Sequence, residues 1–255
     1  MMIDKDIEAL DGLPILYIKS LKMIVASDMH LGYEGYMARH GALIPKVNLK
    51  SIIKQLDRAI SETGAESLLI DGDVKNEFST VGTDEFNELH DFIDFAKSKG
   101  IKTIFVKGNH DNFIDRYKEP FGLEIYDEYA VFGSYLFFHG DFIPKDVIEK
   151  RLKFKTAIIG HEHPAISIYL PIGKKEKLKC FLIGSFGNAK LVVMPAIGYF
   201  STSTGINEIP KEELMSPIFK NEDVDKFEAI AIGYNSTMSF GKIGELRSIF
   251  KRHDL

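Results

Sequence analysis

Three short apolar segments alternate with two amphipathic segments in the first half of the chain, and this order restricts the fold more than any other feature. Met23–Ala26, Leu68–Ile70 and Thr103–Val106 are rich in β-branched and aromatic residues, which predicts buried strands. Apolar residues recur at helical spacing between them, at Leu49, Ile52, Ile53, Leu56 and Ile60, and then at Phe86, Leu89, Phe92, Ile93 and Ala96. The order βαβαβ predicts parallel strands, because each helix crosses over the sheet between two strands.

The second half of the chain changes character beyond Leu123. Short apolar runs separated in part by turns predict a mostly β region. They are Glu128–Phe132, Tyr135–Phe138, Ala157–Ile159, Ile166–Tyr169, Leu178–Ile183, Leu191–Met194 and Ala229–Ile232. A last amphipathic helix is predicted from about Ile243 to Arg252. We therefore expect an α/β protein with two sheets packed face to face and helices outside, forming one domain over residues 1–255.

Composition and charge exclude several classes of protein. The net charge of −5 and the pI near 5.9 give no global attraction to nucleic acid or to an anionic membrane. A single cysteine, Cys180, excludes an internal disulfide and a thiolate metal site. The first residues do not resemble a secretory signal, and no apolar run approaches the ~20 residues of a membrane helix. We expect a cytoplasmic protein with no membrane partner; the sequence leaves its oligomeric state open.

Polar side chains follow the predicted strands at the point where each strand ends. These residues are Asp28, His30, Asp73, Asn109, His110, Asp111, His139, His161 and His163. Because the carboxyl ends of the strands in an open α/β sheet face one crevice, the side chains are expected to converge there. A dense polar cluster is costly when it is buried without partners. Bound cations remove that cost, since neutral imidazole and carboxylate are metal ligands.

The charges of these residues suit a pair of divalent cations. Two such ions bring four positive charges, whereas Asp28 and Asp73 return only two and the other candidate ligands are neutral. A positive, partly open pair of ions attracts phosphate and lowers the pKa of bound water toward ~7. Nitrogen and oxygen ligands without sulfur favour Mn, Fe, Zn, Ni or Co over calcium.

The polar segments, taken in order, resemble the motifs of the calcineurin-like metallophosphoesterases. They are Asp28-x-His30, Gly72-Asp73, Gly108-Asn109-His110-Asp111, His139 and Gly160-His161-x-His163. The resemblance covers roughly Met23 to Ile168 and implies a four-layer α/β/β/α sandwich with two mixed β-sheets. A finer similarity, through residues 28–34 and 72–78, is to a prokaryotic branch that includes the DNA-ligase-associated phosphoesterases. Asn76 stands where many members carry another polar residue of the ligand shell.

The resemblance also implies a role for each matching residue. One divalent ion, most readily Mn²⁺, would be held by Asp28, His30 and His163. A second would be held by Asn109, His139 and His161. Asp73 would bridge the two ions, about 3.5–4 Å apart, and a hydroxide between them would attack phosphorus in line. His110 would bind no metal and would act at the leaving oxygen as proton donor or charge stabiliser.

Two residues near these motifs have open interpretations. Asp111 either orients His110 in catalysis or caps the entry to a helix. Arg39, in the insert Tyr33–Lys46, either clamps a substrate phosphate or is a solvated surface residue. The basic runs Lys150–Lys155 and Lys174–Lys179 are expected at the surface and could contact a polyanion only locally.

The function predicted from the sequence is hydrolysis of phosphodiester bonds, with nucleotides or nucleic acid as substrates. The preference for diesters rests on the branch resemblance. One alternative is a phosphomonoesterase or protein phosphatase that uses the same site. A second alternative, a non-catalytic protein-binding scaffold, is weaker, because every candidate ligand and His110 are present.

Overall fold

The structure, a computed structural model, describes residues 1–78, 82–170 and 172–253, with side chains as far as Phe250. Two β-sheets pack face to face, and helices cover the outer face of each. This arrangement confirms the predicted four-layer α/β/β/α sandwich. No helix in the described ranges is both long enough and apolar enough to cross a membrane.

The first sheet contains the strands of the predicted βαβαβ unit. Its described strands are β1 (Ile7–Ala9), β2 (Leu16–Ile18), β3 (Met23–Ala26), β4 (Ser67–Asp71), β5 (Lys102–Val106) and β6 (Glu124–Tyr126), in that spatial order. Strands β1 to β3 are antiparallel, and β3 to β6 are parallel. The register pairs Ala26 with Ile70 and Asp71 with Val106, so the loops after β3, β4 and β5 leave the sheet at the same edge.

The second sheet is mixed and is formed by the later part of the chain. Its described strands are β7 (Ala130–Phe132), β8 (Tyr135–Phe137), β9 (Thr156–Ile159), β10 (Pro164–Tyr169), β11 (Lys175–Phe186), β12 (Ala189–Val193), β13 (Thr204–Gly205), β14 (Glu228–Ile232) and β15 (Thr237–Lys242). The long strand β11 pairs with β10 through its first residues and with β12 and β14 through its last residues. Because β8 and β9 are parallel, the segments that follow them also leave the sheet at one edge.

Helices fill the outer layers. In the described ranges they are α1 (Tyr33–Arg39), α2 (Asn48–Thr63), α3 (Thr83–Ser98), α4 (Lys118–Phe121), α5 (Lys145–Ile148) and α6 (Ile243–His253). Gly64 ends α2 in the left-handed conformation, with φ of 63°, which glycine adopts without a steric cost. The insert Tyr33–Lys46 differs from the expected loop, because its first half forms α1.

The apolar residues of each strand divide between two cores, since successive side chains point to opposite faces. Leu68 and Ile70 of β4 pack under the helices, whereas Leu69 between them packs against the second sheet. Phe137 and Ile158 meet Leu69 in that central core from the other side. The two sheets are therefore held in a fixed relation, and their loop-bearing edges meet where the candidate ligands lie.

Candidate metal centre

Most of the predicted ligands are brought together at the meeting edges of the two sheets. Three groups of residues each place their donor atoms within 4.8 Å of one another. The first is Asp28, His30 and His163; the second is His30, Asp73 and His110; and the third is Asp73, His139 and His161. The first group is the set that the family resemblance assigned to one ion. The third group contains His139 and His161, two of the three residues assigned to the other ion, together with the bridging Asp73. The groups share His30 and Asp73, so the structure places them side by side.

Asp73 lies close to histidines of all three groups. Its Oδ2 atom is 3.3 Å from Nε2 of His139 and 3.8 Å from Nε2 of both His30 and His110. Its other oxygen, Oδ1, accepts a hydrogen bond from the backbone N–H of His110 at 3.0 Å. One carboxylate oxygen is thus fixed by the backbone, while the other faces three imidazoles.

The first group is ordered by hydrogen bonds to its outer atoms. Nδ1 of His163 bonds to the carbonyl oxygen of Thr202 at 2.9 Å, which leaves Nε2 as the atom that faces Asp28 Oδ1 at 3.1 Å. Asp28 Oδ2 accepts a hydrogen bond from the hydroxyl of Ser27 at 2.5 Å. Such partners fix the tautomer and the ring orientation of metal-binding histidines.

Two of the residues assigned to the second ion, His139 and Asn109, have a buried polar atom without a hydrogen-bond partner. Nδ1 of His139 bonds to the carbonyl oxygen of Asp71 at 3.2 Å, and its ring centroid lies 5.0 Å from that of His161. Nε2 of His139 lies 3.3 Å from Oδ2 of Asp73 as an ion pair but makes no hydrogen bond, and Oδ1 of Asn109 has no hydrogen-bond partner among the described residues. An unsatisfied buried donor or acceptor is costly, and a cation would satisfy both atoms. The residues present therefore fit a metal centre.

The backbone is strained at the same residues. Eight residues other than glycine have positive φ in the described chain, and five of them are candidate ligands: Asp28, His30, Asp73, His161 and His163, with φ between 47° and 66°. The left-handed conformation costs a residue with a Cβ roughly 1–2 kcal/mol. Strain concentrated at one place in this way is typical of functional sites.

Two glycines of the motifs make room for the ligands. A Cβ at Gly72 would lie 2.0 Å from Nδ1 of His139, and one at Gly108 would lie 2.3 Å from Oδ1 of Asp73. Both contacts are far shorter than two atoms allow. The glycines in Gly72-Asp73 and Gly108-Asn109 are therefore required by the approach of a ligand from another strand.

Burial and the neighbouring charges set the protonation of the cluster. Burial lowers the pKa of His30 and of His161 to about 4, so both imidazoles are neutral near pH 7 and able to bind metal. Burial alone would lower the pKa of His139 as well, but the carboxylates of Asp73 and Asp28 outweigh it and hold that pKa well above its ordinary value. Burial alone would raise the pKa of Asp73, but His139 outweighs it and lowers the pKa. Without metal, the cluster is held together by these opposite charges.

His110 lies beside the ligands, and its ring is held from outside the cluster. Its Nδ1 bonds to the carbonyl oxygen of Asn76 at 2.5 Å, and the ring of Phe78 covers it with centroids 3.6 Å apart. The remaining ring atom, Nε2, faces Asp73. The structure groups His110 with His30 and Asp73, although the resemblance implied that His110 binds no metal.

The structure places Asp111 and Arg39 away from the predicted catalytic contacts. The carboxylate of Asp111 accepts hydrogen bonds from the backbone N–H groups of Gly108 and Lys75, at 2.9 and 3.1 Å, and burial beside Asp73 raises its pKa to about 7. It binds two loops together and does not hold the ring of His110. Arg39, at the end of α1, is half exposed and pairs with Glu77 at 2.7 Å.

The sequence profile of the calcineurin-like phosphoesterases matches residues 21–165, which is more than half of the chain. The chain belongs to this family. The match confirms the family predicted from the motifs, and with it an enzyme that hydrolyses phosphoester bonds. No curated protein sequence matches the chain significantly.

Among the solved structures similar to this phosphoesterase, one supports the fold. Nuclease MPE from Pseudomonas putida is 16% identical, with a TM-score of 0.63 over 91% of this chain and 94% of the nuclease. YfcE, a phosphoesterase from E. coli, is 16% identical, with a TM-score of 0.41 over 84% of this chain and 95% of its own. AQ665 from Aquifex aeolicus, a protein of unknown function, is 22% identical, with a TM-score of 0.39 over 55% of this chain and 78% of its own. The last two scores are too low to support a conclusion.

The crevice in front of the ligands is completed by residues that are not candidate ligands, and apart from Tyr33 and Asn76 no motif indicated them. It has a volume of about 260 Å³, and its remaining walls are formed by Tyr33, Asn48, Asn76, Phe200, Ser201, Thr202 and Met215. The rings of Tyr33 and Phe200 stack with centroids 5.5 Å apart. The amide of Asn48 donates to the carbonyl oxygens of Met29 and His30 and accepts the backbone N–H of Tyr199 at 2.7 Å. Asn48 thus joins the loop of the first ligands to the loop that carries Phe200.

Glu162, which lies between the candidate ligands His161 and His163 in the sequence, also joins two segments of the chain, as Asn48 does. It is fully buried, and Oε2 accepts the backbone N–H of Ser216 at 2.9 Å. Burial raises its pKa to about 7. Its hydrogen bond fixes the segment that carries Met215 to the edge of the crevice. The sequence offered no signal for this contact, because the two residues are 54 positions apart.

Proposed function

We propose that this phosphoesterase hydrolyses phosphodiester bonds in nucleotides or nucleic acid with the help of two divalent cations. The observation that carries the proposal is the position of Asp73, one oxygen of which faces histidines from both ligand groups. A carboxylate placed between two sets of donors is suited to two neighbouring cations rather than to one.

Each ligand group would hold one cation. The first would be held by Asp28, His30 and His163. The second would be held by Asn109, His139 and His161, with Asp73 common to both. When bound, such cations draw charge from phosphoryl oxygens and lower the pKa of water. Nitrogen and oxygen donors without sulfur suit Mn²⁺ first, and also Fe, Zn, Ni or Co.

His110 is the residue we propose for proton transfer to the leaving oxygen, or for stabilising charge there. Its ring is oriented by the carbonyl of Asn76, so Nδ1 is engaged, and Nε2, 3.8 Å from Oδ2 of Asp73, is the nitrogen left for a substrate in the crevice. Phe78 covers one side of the ring and shields it from water. Asp111 supports the loop between Gly108 and His110, and we propose a structural role for it rather than a catalytic one.

The lining of the crevice supports diesters over monoesters. Its described lining residues include neither lysine nor arginine, whereas sites for phosphate dianions commonly use an arginine clamp. Arg39 is engaged with Glu77 and is not part of the lining. Tyr33, Phe200 and Met215 give the crevice an apolar wall that suits a base or another flat substituent of a diester. The similarity in fold to a nuclease is consistent with this substrate class.

A comparison of two aryl substrates tests the proposal. The Mn²⁺-loaded protein is expected to hydrolyse bis(4-nitrophenyl) phosphate faster than 4-nitrophenyl phosphate. His110→Ala is expected to lower the diester kcat roughly 10²- to 10⁴-fold while the metal content stays the same. His90→Ala, at an exposed histidine of α3, is the matched control and should retain full activity. A faster reaction with the monoester, or an unchanged rate in His110→Ala, would contradict the assignment.

A further inference from the structure

A second, larger depression lies beside the metal crevice, between α2 and the β11 and β14 strands. We call it the basic groove and define it by the residues Lys54, Arg58, Lys177, Lys179, Tyr199 and Tyr234. Its volume is about 730 Å³, and none of its described lining side chains is a carboxylate. This composition contrasts with the net charge of −5 of the whole chain.

The four cations of the basic groove differ in how firmly they are held. Arg58 bonds to Glu62 at 2.7 Å and to the carbonyl oxygen of Asp11 at 2.7 Å, which fixes the guanidinium at the wall. Lys177 is exposed and lies 3.6 Å from Glu208. Lys54, on the exposed side of α2, lines the groove. Arg58 and Lys177 are therefore paired with carboxylates, whereas Lys54 makes no ion pair with a described residue. Cationic side chains gathered on one surface attract a phosphate backbone locally, even on an acidic protein.

Two tyrosines at the basic groove are largely exposed to solvent. Tyr234, in the turn between β14 and β15, is 93% exposed, and Tyr199 is 60% exposed. A large aromatic ring that stays exposed at a turn buries little apolar surface and so adds little to the stability of the fold. Exposed aromatic rings next to basic residues are the combination on which successive bases of a single strand stack.

Two adjacent residues line the basic groove and the metal crevice. Tyr199 lines the groove and Phe200 lines the crevice, and their rings are in edge contact with centroids 5.0 Å apart. The backbone of this segment is held by Asn48, which accepts the N–H of Tyr199, and by Lys179, which donates to the carbonyl oxygens of Ala196 and Gly198 at 2.7 Å. This hydrogen-bonded segment therefore joins the wall of the groove to the wall of the crevice.

We infer that the basic groove binds single-stranded nucleic acid and delivers it to the metal crevice. The backbone phosphates would lie along Lys54, Arg58 and Lys177, and the bases would stack on Tyr234 and Tyr199. A duplex keeps its bases stacked on one another and leaves none for the tyrosines, so the groove selects single strands. The inference deepens the proposed function and rests on it only for the cleavage that follows binding.

Fluorescence anisotropy with a labelled 15-nucleotide oligothymidylate tests the inference. Phosphorothioate linkages keep the charges and slow hydrolysis, so the Mn²⁺-loaded protein can be used. Lys54→Glu and Tyr234→Ala are each expected to weaken binding about tenfold. Lys153→Glu is the matched control, because this exposed lysine belongs to the other basic run and precedes β9, at the end of that strand away from the ligands. It should leave the affinity unchanged.

The outcomes distinguish this inference from the proposed function. Loss of binding in the two groove variants but not in Lys153→Glu, with normal melting temperatures, would support the groove. Equal affinities in all four proteins, tighter binding of a duplex of the same length, or no binding by the unaltered protein would overturn it. Hydrolysis of the small aryl diester by the unaltered protein is measured separately, and its result bears on the proposed function alone.

Discussion

Oδ2 of Asp73 lies 3.3 Å from Nε2 of His139, and the same oxygen lies 3.8 Å from Nε2 of His30. His139 follows a strand of the second sheet, and His30 follows a strand of the first. Asp73 is therefore the place where the ligand sets of the two sheets meet. Its charge is predicted to matter to both cation sites, whereas a histidine at the far side of either group should matter to one.

Asp73→Asn is predicted to weaken binding of both cations by at least about tenfold, because it removes the shared negative charge and keeps the shape of the side chain. Titration of the metal-free protein with Mn²⁺ in a calorimeter measures the two affinities. His161→Ala should affect one site only. Asp91→Asn, at an exposed carboxylate of α3, serves as the control and should bind as the unaltered protein does. Loss of a single site in Asp73→Asn would show that the oxygen is not shared.

Gly72→Ala is predicted to destabilise the protein by roughly 2–4 kcal/mol, because the new methyl group would overlap the ring of His139. Urea unfolding measures the change. Gly64→Ala is the matched control, since Gly64 also has positive φ, at 63°, but nothing lies within 4 Å of its Cβ position. The free energy of unfolding of that variant should fall by only about 1 kcal/mol, because alanine is disfavoured in the left-handed conformation. Equal losses in the two variants would contradict the close packing of Gly72 on His139.

Glu88→Gln is predicted to stabilise the protein at alkaline pH. Burial raises the pKa of Glu88 from 4.5 to about 7, and its carboxyl accepts the backbone N–H of Gly32 at 2.8 Å. A raised pKa means that the folded state holds this proton more tightly than the unfolded state does. The stability that Glu88 provides is full below pH 4.5 and is lost as the pH rises through 7.

Glutamine keeps the acceptor and cannot ionise, so Glu88→Gln should gain on the order of 1 kcal/mol at pH 8 and little at pH 4. This figure is reduced from the full pKa difference because the carboxyl is partly in contact with water. Thermal unfolding at the two pH values measures the gain. Glu119→Gln, at an exposed residue of α4, is the control. A gain of the same size at both pH values would contradict the raised pKa.

The parts of the fold that could be predicted from the sequence are those with long, regular patterns. The stripes of α2 and α3 and the apolar strands β3, β4 and β5 lie where periodicity indicated. The strands β1 and β2 were missed, because three residues such as Ile7–Ala9 carry too short an alternation. The strand β11 begins at Lys175, earlier than the apolar run from Leu178, since its pairing with β10 outweighs the polarity of the basic residues.

The candidate site likewise has a part that the sequence predicted and a part that it did not. The ligand residues stand in short motifs directly after strands, so their order along the chain indicated that they meet. Asn48, Phe200 and Met215 stand in no motif, and they reach the crevice only through long-range packing. Asn48 in particular has the position of an ordinary residue at a helix start, whereas its amide joins two loops, one of which carries Tyr199, 151 positions from Asn48. Contacts of this kind have no local signal in a single sequence.

The number of divalent ions bound per chain tests the account most directly. The purified protein, loaded with Mn²⁺ and freed of excess metal, is analysed by inductively coupled plasma mass spectrometry. We predict two ions per chain, and fewer in His163→Ala and in His139→Ala. Binding of no ion, or of a single ion whose amount does not change in either variant, would contradict a centre built from Asp28, His30, Asp73, Asn109, His139, His161 and His163.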